Sequence, residues 1–481
     1  MHSLLKKEVP AKVTKQGVHR DPLLEEEPGS DVPVADGQPE QPPASRREQL
    51  RAIFAAAVAA VAPEACLGRH LARRGDLLRI GGEHWELSSI RQLVLLGAGK
   101  ASVRMAAAAL EQLGDRVGSG LVVAGETGAC ASLPPFLEVV VGAHPVPSAA
   151  SVRAGKALRA RLAELDTADR FIFLLSGGAS ALVELPAAGI TLADLQRTTR
   201  LLLSSGAAIG EVNALRKHLS QVKGGQLGAV GRAAGAVLVL SDVVGDDLSA
   251  IGSGPFYPDD STYGDCLRLI ERYSLGARLP SAVIAVLRAG AAGLLPETPK
   301  QPWPQLRHHL VGSNRLALQA AADEAAELGL APLVHHDPLQ GEARQVAVEL
   351  VERVLAAPPP VRPTCHLFGG ETTVTVRGLG RGGRNQELAL AALLALRGRP
   401  ELSLLAAGTD GIDGGSDAAG AFADARAWRA AAIQGLDPAT SLADNDSHTF
   451  FSRIGAQLCC GPTGTNVADL VAIVREGASE S

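Results

Sequence analysis

A series of short polar stretches in this chain each follow an apolar run, and each carries residue types suited to phosphate, carboxylate or a divalent cation. Gly97-Ala98-Gly99-Lys100 closes the run QLVLL and opens the helical stretch ASVRMAAAALEQL. Glycines let an anion approach the backbone, a helix N-terminus carries partial positive charge, and Lys100 adds a full one. The spacing is not that of a Walker A loop. It is also not a complete dinucleotide fingerprint, because Ser102 stands where the third glycine would be. The plain alternative is a tight turn with an exposed lysine. Ser176-Gly177-Gly178-Ala179-Ser180 follows FIFLL, and reads either as a phosphate cradle or as a serine-capped turn.

In GEVNALRKHLSQVKGGQL, which also holds Asn213, residues Arg216, Ser220 and Lys223 recur at helical spacing on one face. That face binds an anion or is simply solvated. LSDVVGDDLSAIGSGP places Asp242, Asp246 and Asp247 just past an apolar strand. Clustered carboxylates there suit Mg²⁺, which takes one or two carboxylates plus phosphates and waters; the alternative is capping of the next element. Asn314 follows the run HLVGS in the same manner. GGETTVTVRGLGRGGRNQELAL holds Glu371, Arg381, Arg384, Asn385 and Glu387. An arginine at such a glycine-rich turn can grip a carboxylate or phosphate with two prongs, unless the segment is a hairpin with solvated arginines. GTDGIDGGSDAAGAF carries Asp410, Asp413 and Asp417 but lacks the glutamate that a calcium loop requires. LADNDSHTFFSRIG and GPTGTNVADL add Asn445, Asp446, Ser447, His448, Thr463, Thr465 and Asn466. A lone histidine such as His448 is more often structural.

The elements that must position these residues follow an alternating pattern. QLVLLGAGK, GLVVAGE, LEVVVGAHPVP, FIFLLSGGAS and AVLVLSDVVGDD are short apolar runs, and helices such as SVRAGKALRARLAEL and TLADLQRTTRLLLSSG lie between them. This is the signature of βαβ units around a buried parallel sheet. Ligands of such sheets bind outside the carboxyl ends of the strands, which is where the polar motifs fall. A second series runs from HLVGSNRLALQAAADEAAELGL through APLVHHDP and CHLFGG to LSLLAAGTDGIDGG. The expected architecture is α/β with two domains, each a largely parallel sheet flanked by helices, and an active site in the cleft between them. The boundaries expected are a disordered Pro-rich tail at 1–45, a Rossmann-like domain at 46–298 and a second α/β domain at 299–476.

The chain has 481 residues, 46% of them hydrophobic and only 3% aromatic, so its cores must be built from Ala, Leu and Val. A net charge of −5 offers no basic patch for nucleic acid. No apolar run is long enough to span a membrane, and the N-terminal residues lack the apolar core of a secretory signal. The six cysteines form no C-x-x-C and no zinc-like spacing. They read as reduced thiols, and the expected location is cytoplasmic.

Taken together, VLLGAGKAS, HPVPS, LLSGGASALVELP, NALRKHLSQVKGGQL, LSDVVGDDLSAIGSGP, GRGGRNQELAL, AAGTDGIDG, NDSHTFF and GPTGTNVAD resemble the signature stretches of the glycerate 2-kinases, in that family's order. The resemblance runs from about residue 46 to residue 474 and includes a C-terminal domain of the MOFRL type. It implies transfer of the terminal phosphoryl group of ATP to D-glycerate with Mg²⁺, giving 2-phosphoglycerate. It also implies a lysine role at Lys100 and an arginine role at Arg384. The expected partners are D-glycerate and ATP, with no nucleic acid and no membrane; a homodimer is left open.

On this reading Lys100, Arg384 and Asp410 are catalytic. Lys100 and Arg384 neutralise the moving phosphoryl group or hold the glycerate carboxylate, and Asp410 orients or deprotonates the acceptor hydroxyl. Asp242 and Asp246 are the metal candidates. Gly97, Gly99, Ser176, Gly177, Gly178, Asn213, Arg216, Lys223, Asn314, Glu371, Asn385, Asn445 and His448 are the binding candidates. The family has also carried the name hydroxypyruvate reductase. An NAD(P)H-dependent reductase would find support in GAGKAS and in Glu126 as a fingerprint acid, but cation-rich and carboxylate-rich loops are not needed for hydride transfer. A third class, a ligand-binding module without catalysis, would predict decay of the charged loop residues, and here they are intact.

Overall fold

The computed structural model describes residues 45–125 and 133–477. The Pro-rich tail, Glu126 and Cys130 lie outside the described residues. The described residues form one compact unit, built on two six-stranded sheets and a small three-stranded one.

The small sheet is an antiparallel meander of β1 (Leu71–Arg74), β2 (Leu77–Ile80) and β3 (Glu83–Glu86). It was not anticipated from the sequence, because its strands are short and rich in charge. The first large sheet comprises β4 (Leu93–Ala98), β5 (Val117–Ala124), β6 (Leu137–Val141), β7 (Arg170–Ser176), β8 (Ala234–Leu240) and β9 (Leu306–Gly312). All its neighbours are parallel, in the order β6-β5-β4-β7-β8-β9. This is the doubly wound order, and the chain reverses direction between β4 and β7, which leaves a crevice at their carboxyl ends. The central strands are apolar along their whole length because helices cover both faces. Leu95, Ile172, Leu174 and Leu238 enter one core. Their neighbours Val94, Leu96, Phe173 and Val237 enter the opposite one.

The second large sheet contains β10 (Ala331–Val334), β11 (Thr364–Gly370), β12 (Leu402–Gly408), β13 (Gly420–Ala423), β14 (Gln457–Leu458) and β15 (Asp469–Arg475). Its order is β10-β11-β15-β12-β13-β14. Only β10 and β11 pair in parallel; the other pairs are antiparallel. The expected parallel order therefore holds for the first sheet and not for the second. An apolar run such as DLVAIVR reports burial on both faces and carries no sign of strand direction. The reversed β15 sets Asp469 opposite both Gly370 and Gly408, at the carboxyl ends of β11 and β12.

The run at 306–312 is the edge strand of the first sheet, not the opening strand of the second. The helix that follows it, Asn314–Glu327, packs on β10 and β11. In the other direction, the helix Arg46–Ala60 packs on Asn314–Glu327 rather than on the first sheet. It starts at a Ser45–Glu48 capping box. Arg46 and Arg47 tie it to Glu476 and Asp424, at 2.5 and 2.6 Å. One apolar core contains Leu95 and Leu174 of the first sheet together with Leu367 and Leu405 of the second.

Candidate active site

In the first lobe, the backbone of the switch-point crevice leaves its charged groups free. Gly99 has φ +134°, and a Cβ there would run into Ser176. Ser176 Oγ accepts from Ala101 N at 3.1 Å, and Lys100 N donates to Gly177 O at 2.9 Å. The two glycine turns are thus stitched to each other. Ser102 explains the incomplete fingerprint: its hydroxyl donates to Gly99 O and Val123 O, each at 2.8 Å. Gly178 has φ +81°, and a Cβ there would touch Lys100 Cγ and His144 Cδ2, each at 3.2 Å. The Lys100 side chain is exposed and, among the described residues, makes no ion pair.

Asp242, past the end of β8, lies directly against Gly177, where even a Cβ would collide with its carboxylate. Burial pushes its carboxyl up to about 6; Lys100 pulls it down and Glu371 pushes it up. Asp242 therefore lies within the electrostatic reach of both lobes.

The second lobe is organised around Asp469, a residue the sequence reading missed. Arg384 donates Nε to Asp469 Oδ2 at 2.6 Å and Nη2 to Oδ1 at 3.0 Å, while Nη1 donates to Glu371 Oε1 at 2.5 Å. Asn385 Nδ2 adds a bond to Asp469 Oδ1 at 3.0 Å. Burial pushes Asp469 up to about 6 against the pull of Arg384. The same pair raises the Arg384 pKa, overcoming its own burial. At neutral pH both partners are charged. Asn314 Nδ2 donates to the carbonyls of Val467 and Asp469, at 2.9 and 3.0 Å, and so fixes the start of β15. A Cβ on Gly408 would stand 3.2 Å from Asp410 Oδ1 and 3.4 Å from Asp469 Oδ1. Asp410 is thus a close neighbour of this cluster.

Arg104 joins the lobes. It lies on the helix Ser102–Leu113 and donates to the Thr463 carbonyl, and Thr463 N donates to Asp410 O at 3.1 Å. Between the loop after β8 and the ends of β10 and β11 lies a cavity of ≈340 Å³, lined in part by Val243, Asp246, Asn314, Leu318, His335 and Gly370.

Lys100, Gly97, Gly99, Ser176, Gly177, Gly178 and Asp242 thus meet at the crevice. Glu371, Arg384, Asn385, Asn314 and Asp410 gather around Asp469. Asn213 and Arg216 border the Ser180 end of the first turn, where Arg216 Nη2 donates to Ser180 O at 3.2 Å.

Other candidates depart from expectation. Lys223 is fully enclosed, donating to Glu184 Oε2 at 2.6 Å and to Val183 O at 3.3 Å; burial lowers its pKa to about 8. Asn445 and His448 shape the glycine-rich loop before Arg384. Asn445 Oδ1 accepts from Arg377 N at 2.7 Å and Gly378 N at 3.0 Å, and Nδ2 donates to buried Glu387 at 2.9 Å. His448 N donates to Arg381 O at 2.8 Å. Asp246 lines the cavity with φ +56° instead of joining Asp242. Asp413 caps the helix Arg384–Ala395 through the Asn385 and Gln386 amides, at 3.0 and 2.8 Å. Among the described residues no three His, Cys, Asp or Glu side chains converge as a metal cage.

Glu184 and His144 were also missed. His144 sat in view within HPVPS, but only the turn geometry connects it to Lys100.

These features define an α/β protein built on a doubly wound parallel sheet and a second, mixed sheet, with charged side chains gathered at strand ends of both. Residues 49–288 match DUF4147, a domain of unknown function, and residues 364–469 match the MOFRL family. The D-glycerate 2-kinase of Thermotoga maritima is 40% identical, over 80% of this chain and 90% of the relative. A relative from Agrobacterium vitis provisionally named hydroxypyruvate reductase is 38% identical, over 89% of this chain and 94% of its own. The crystal structure of glycerate kinase from Thermotoga maritima superimposes with a TM-score of 0.77 at 35% identity, covering 89% of this chain and 99% of that one. The chain belongs to the glycerate 2-kinase family.

Proposed function

We propose that this protein transfers the terminal phosphoryl group of ATP to the 2-hydroxyl of D-glycerate. The observation that supports the reading is Asp242, which packs on the Gly177 turn and feels the charge of both Lys100 and Glu371, the latter held by Arg384. Phosphoryl transfer needs positioning and charge neutralisation more than covalent chemistry. Lys100, exposed at the switch point and without an ion-pair partner among the described residues, supplies positive charge to the moving phosphoryl group. The Ser176–Gly178 turn offers backbone amides to phosphate oxygens. The cavity beside Gly370 is of a size that suits a nucleoside.

Arg384 already holds Asp469 and Glu371 with three nitrogens. Its part is therefore to position those carboxylates and contribute its field rather than to grip a ligand with two prongs. Asp410, half-buried with Oδ1 accepting from Ile412 N at 3.1 Å, orients the acceptor hydroxyl and takes its proton. Asp242 is the residue that would hold Mg²⁺; among the described residues its carboxyl makes no ion pair, and Mg²⁺ is commonly held by one or two carboxylates plus substrate phosphates. When bound, that ion supplies charge neutralisation at the phosphate oxygens.

The described cysteines are all free, which suits the reducing compartment of a cytoplasmic enzyme. The reductase reading lacks its fingerprint glycine, and Ser102 is built into the turn in its place. Two parallel assays separate the readings. Glycerate-dependent ADP release from ATP is expected, with no loss of NADH absorbance in the presence of hydroxypyruvate; the reverse pattern would overturn the proposal.

A further inference from the structure

Of the four basic side chains between Arg216 and Lys223, all but Arg216 face a carboxylate. Lys217 meets Asp259 at 3.3 Å, His218 meets Glu297 at 3.1 Å and Lys223 meets Glu184 at 2.6 Å. Arg216 has only the Ser180 carbonyl, and its Nε is buried with no hydrogen-bond partner. Glu184 is close enough for its charge to be felt by Arg216. Its oxygens are already taken by Lys223 at 2.6 Å, Ser220 Oγ at 2.6 Å and Leu185 N at 3.0 Å. A guanidinium nitrogen withdrawn from water without an acceptor is costly, and a partner that supplies one recovers much of that cost.

The charge that remains specifies the partner. Lys223 and Arg216 stand against the single carboxylate of Glu184, so one positive charge is left over. A monoanion balances it; a triphosphate would overfill it. The surrounding groups are neutral. Ser253 Oγ lies 2.7 Å from Ser180 Oγ and 3.4 Å from Asn213 Oδ1. Ser180 lies two positions beyond Gly178, the residue that abuts Lys100. An anion bound here would lie along the same turn as the phosphoryl-handling lysine.

We infer that Arg216, flanked by Asn213 and the Ser180–Ser253 hydroxyl pair, is the seat of the acceptor's carboxylate. This site makes the enzyme demand a hydroxy acid rather than a neutral polyol. The inference rests on the kinase reading above and adds which group reads the acid.

The test compares the wild-type enzyme with Arg216→Gln and Arg216→Lys, measuring KM for D-glycerate, KM for ATP, kcat, and D-glycerate affinity by calorimetry. Losing charge-assisted hydrogen bonds to a carboxylate is expected to raise glycerate KM and Kd roughly 10–100-fold in Arg216→Gln, with ATP KM within about twofold. Arg216→Lys keeps the charge without the fork, and is expected to fall between the two; it also preserves the test if the glutamine variant does not fold. An equal rise in ATP KM would assign the site to phosphate and overturn the inference. So would a fall in kcat with both KM values unchanged, or unaltered glycerate binding. Failure of the kinase reading itself shows separately, as a wild-type enzyme that makes no phosphoglycerate.

Discussion

The two lobes treat charge in opposite ways. At the carboxyl ends of the first sheet Lys100 has no ion-pair partner among the described residues, Arg216 keeps a vacant nitrogen, and Asp242 lies against glycine backbone. At the carboxyl ends of the second sheet the charges are interlocked: Arg384 with Asp469 and Glu371, Asn385 with Asp413, Asn445 with Glu387. Groups that must meet a ligand are left open. Groups that must hold a shape are paired, because a buried charge without a partner is costly. The difference separates side chains expected to act on substrate from those expected to position them.

Substitutions on each side should break differently. Lys100→Met removes an exposed charge that has no ion-pair partner among the described residues. Turnover should fall about 10³-fold or more while the unfolding midpoint stays unchanged, since charge stabilisation in a transition state commonly has that weight; steady-state kinetics with parallel denaturant melts checks both. Arg384→Met leaves Asp469 buried without its counter-charge. Breaking such a pair typically costs about 3–5 kcal/mol, so stability and activity should fall together, visible as a lower midpoint in urea.

Asp242→Asn should lower activity yet raise stability. Its carboxyl titrates near 6 when folded, above the usual range near 4. The folded state therefore favours the protonated form. That stabilising contribution is complete below pH ~4 and is lost as the pH rises to about 6. At pH 7 the asparagine variant should be more stable by about 1–2 kcal/mol, and the gain should vanish at pH 4. A variant no more stable at pH 7 would remove Asp242 from the set of open charges. The smallest effect concerns the wild type. With Asp242 and Asp469 both titrating near 6, kcat/KM should decline as the pH drops below 6 and be flat just above neutrality.

The first lobe was the more legible from sequence because its chemistry follows the chain: run, glycine turn, polar residue, helix. Lys100, Ser176 and Asp242 all sit where that grammar puts them. The second lobe breaks the grammar through β15, which enters its sheet antiparallel and so places Asp469 before its apolar run instead of after it. Lys223 misled for a related reason. Helical spacing put it on one face with Arg216, but the helix ends at His218 and the chain turns Lys223 inward onto Glu184. Asn445 and His448 were visible as polar residues near a glycine-rich loop, but whether they face a ligand or the loop backbone depends on contacts across about seventy residues of chain.

The reaction itself is tested most directly by phosphorus and proton NMR of the material formed from ATP, Mg²⁺ and D-glycerate. Phosphorus coupled to the C2 proton of glycerate is the predicted result. Coupling to the C3 protons, or glycerate recovered unchanged while ATP remains intact, would contradict it.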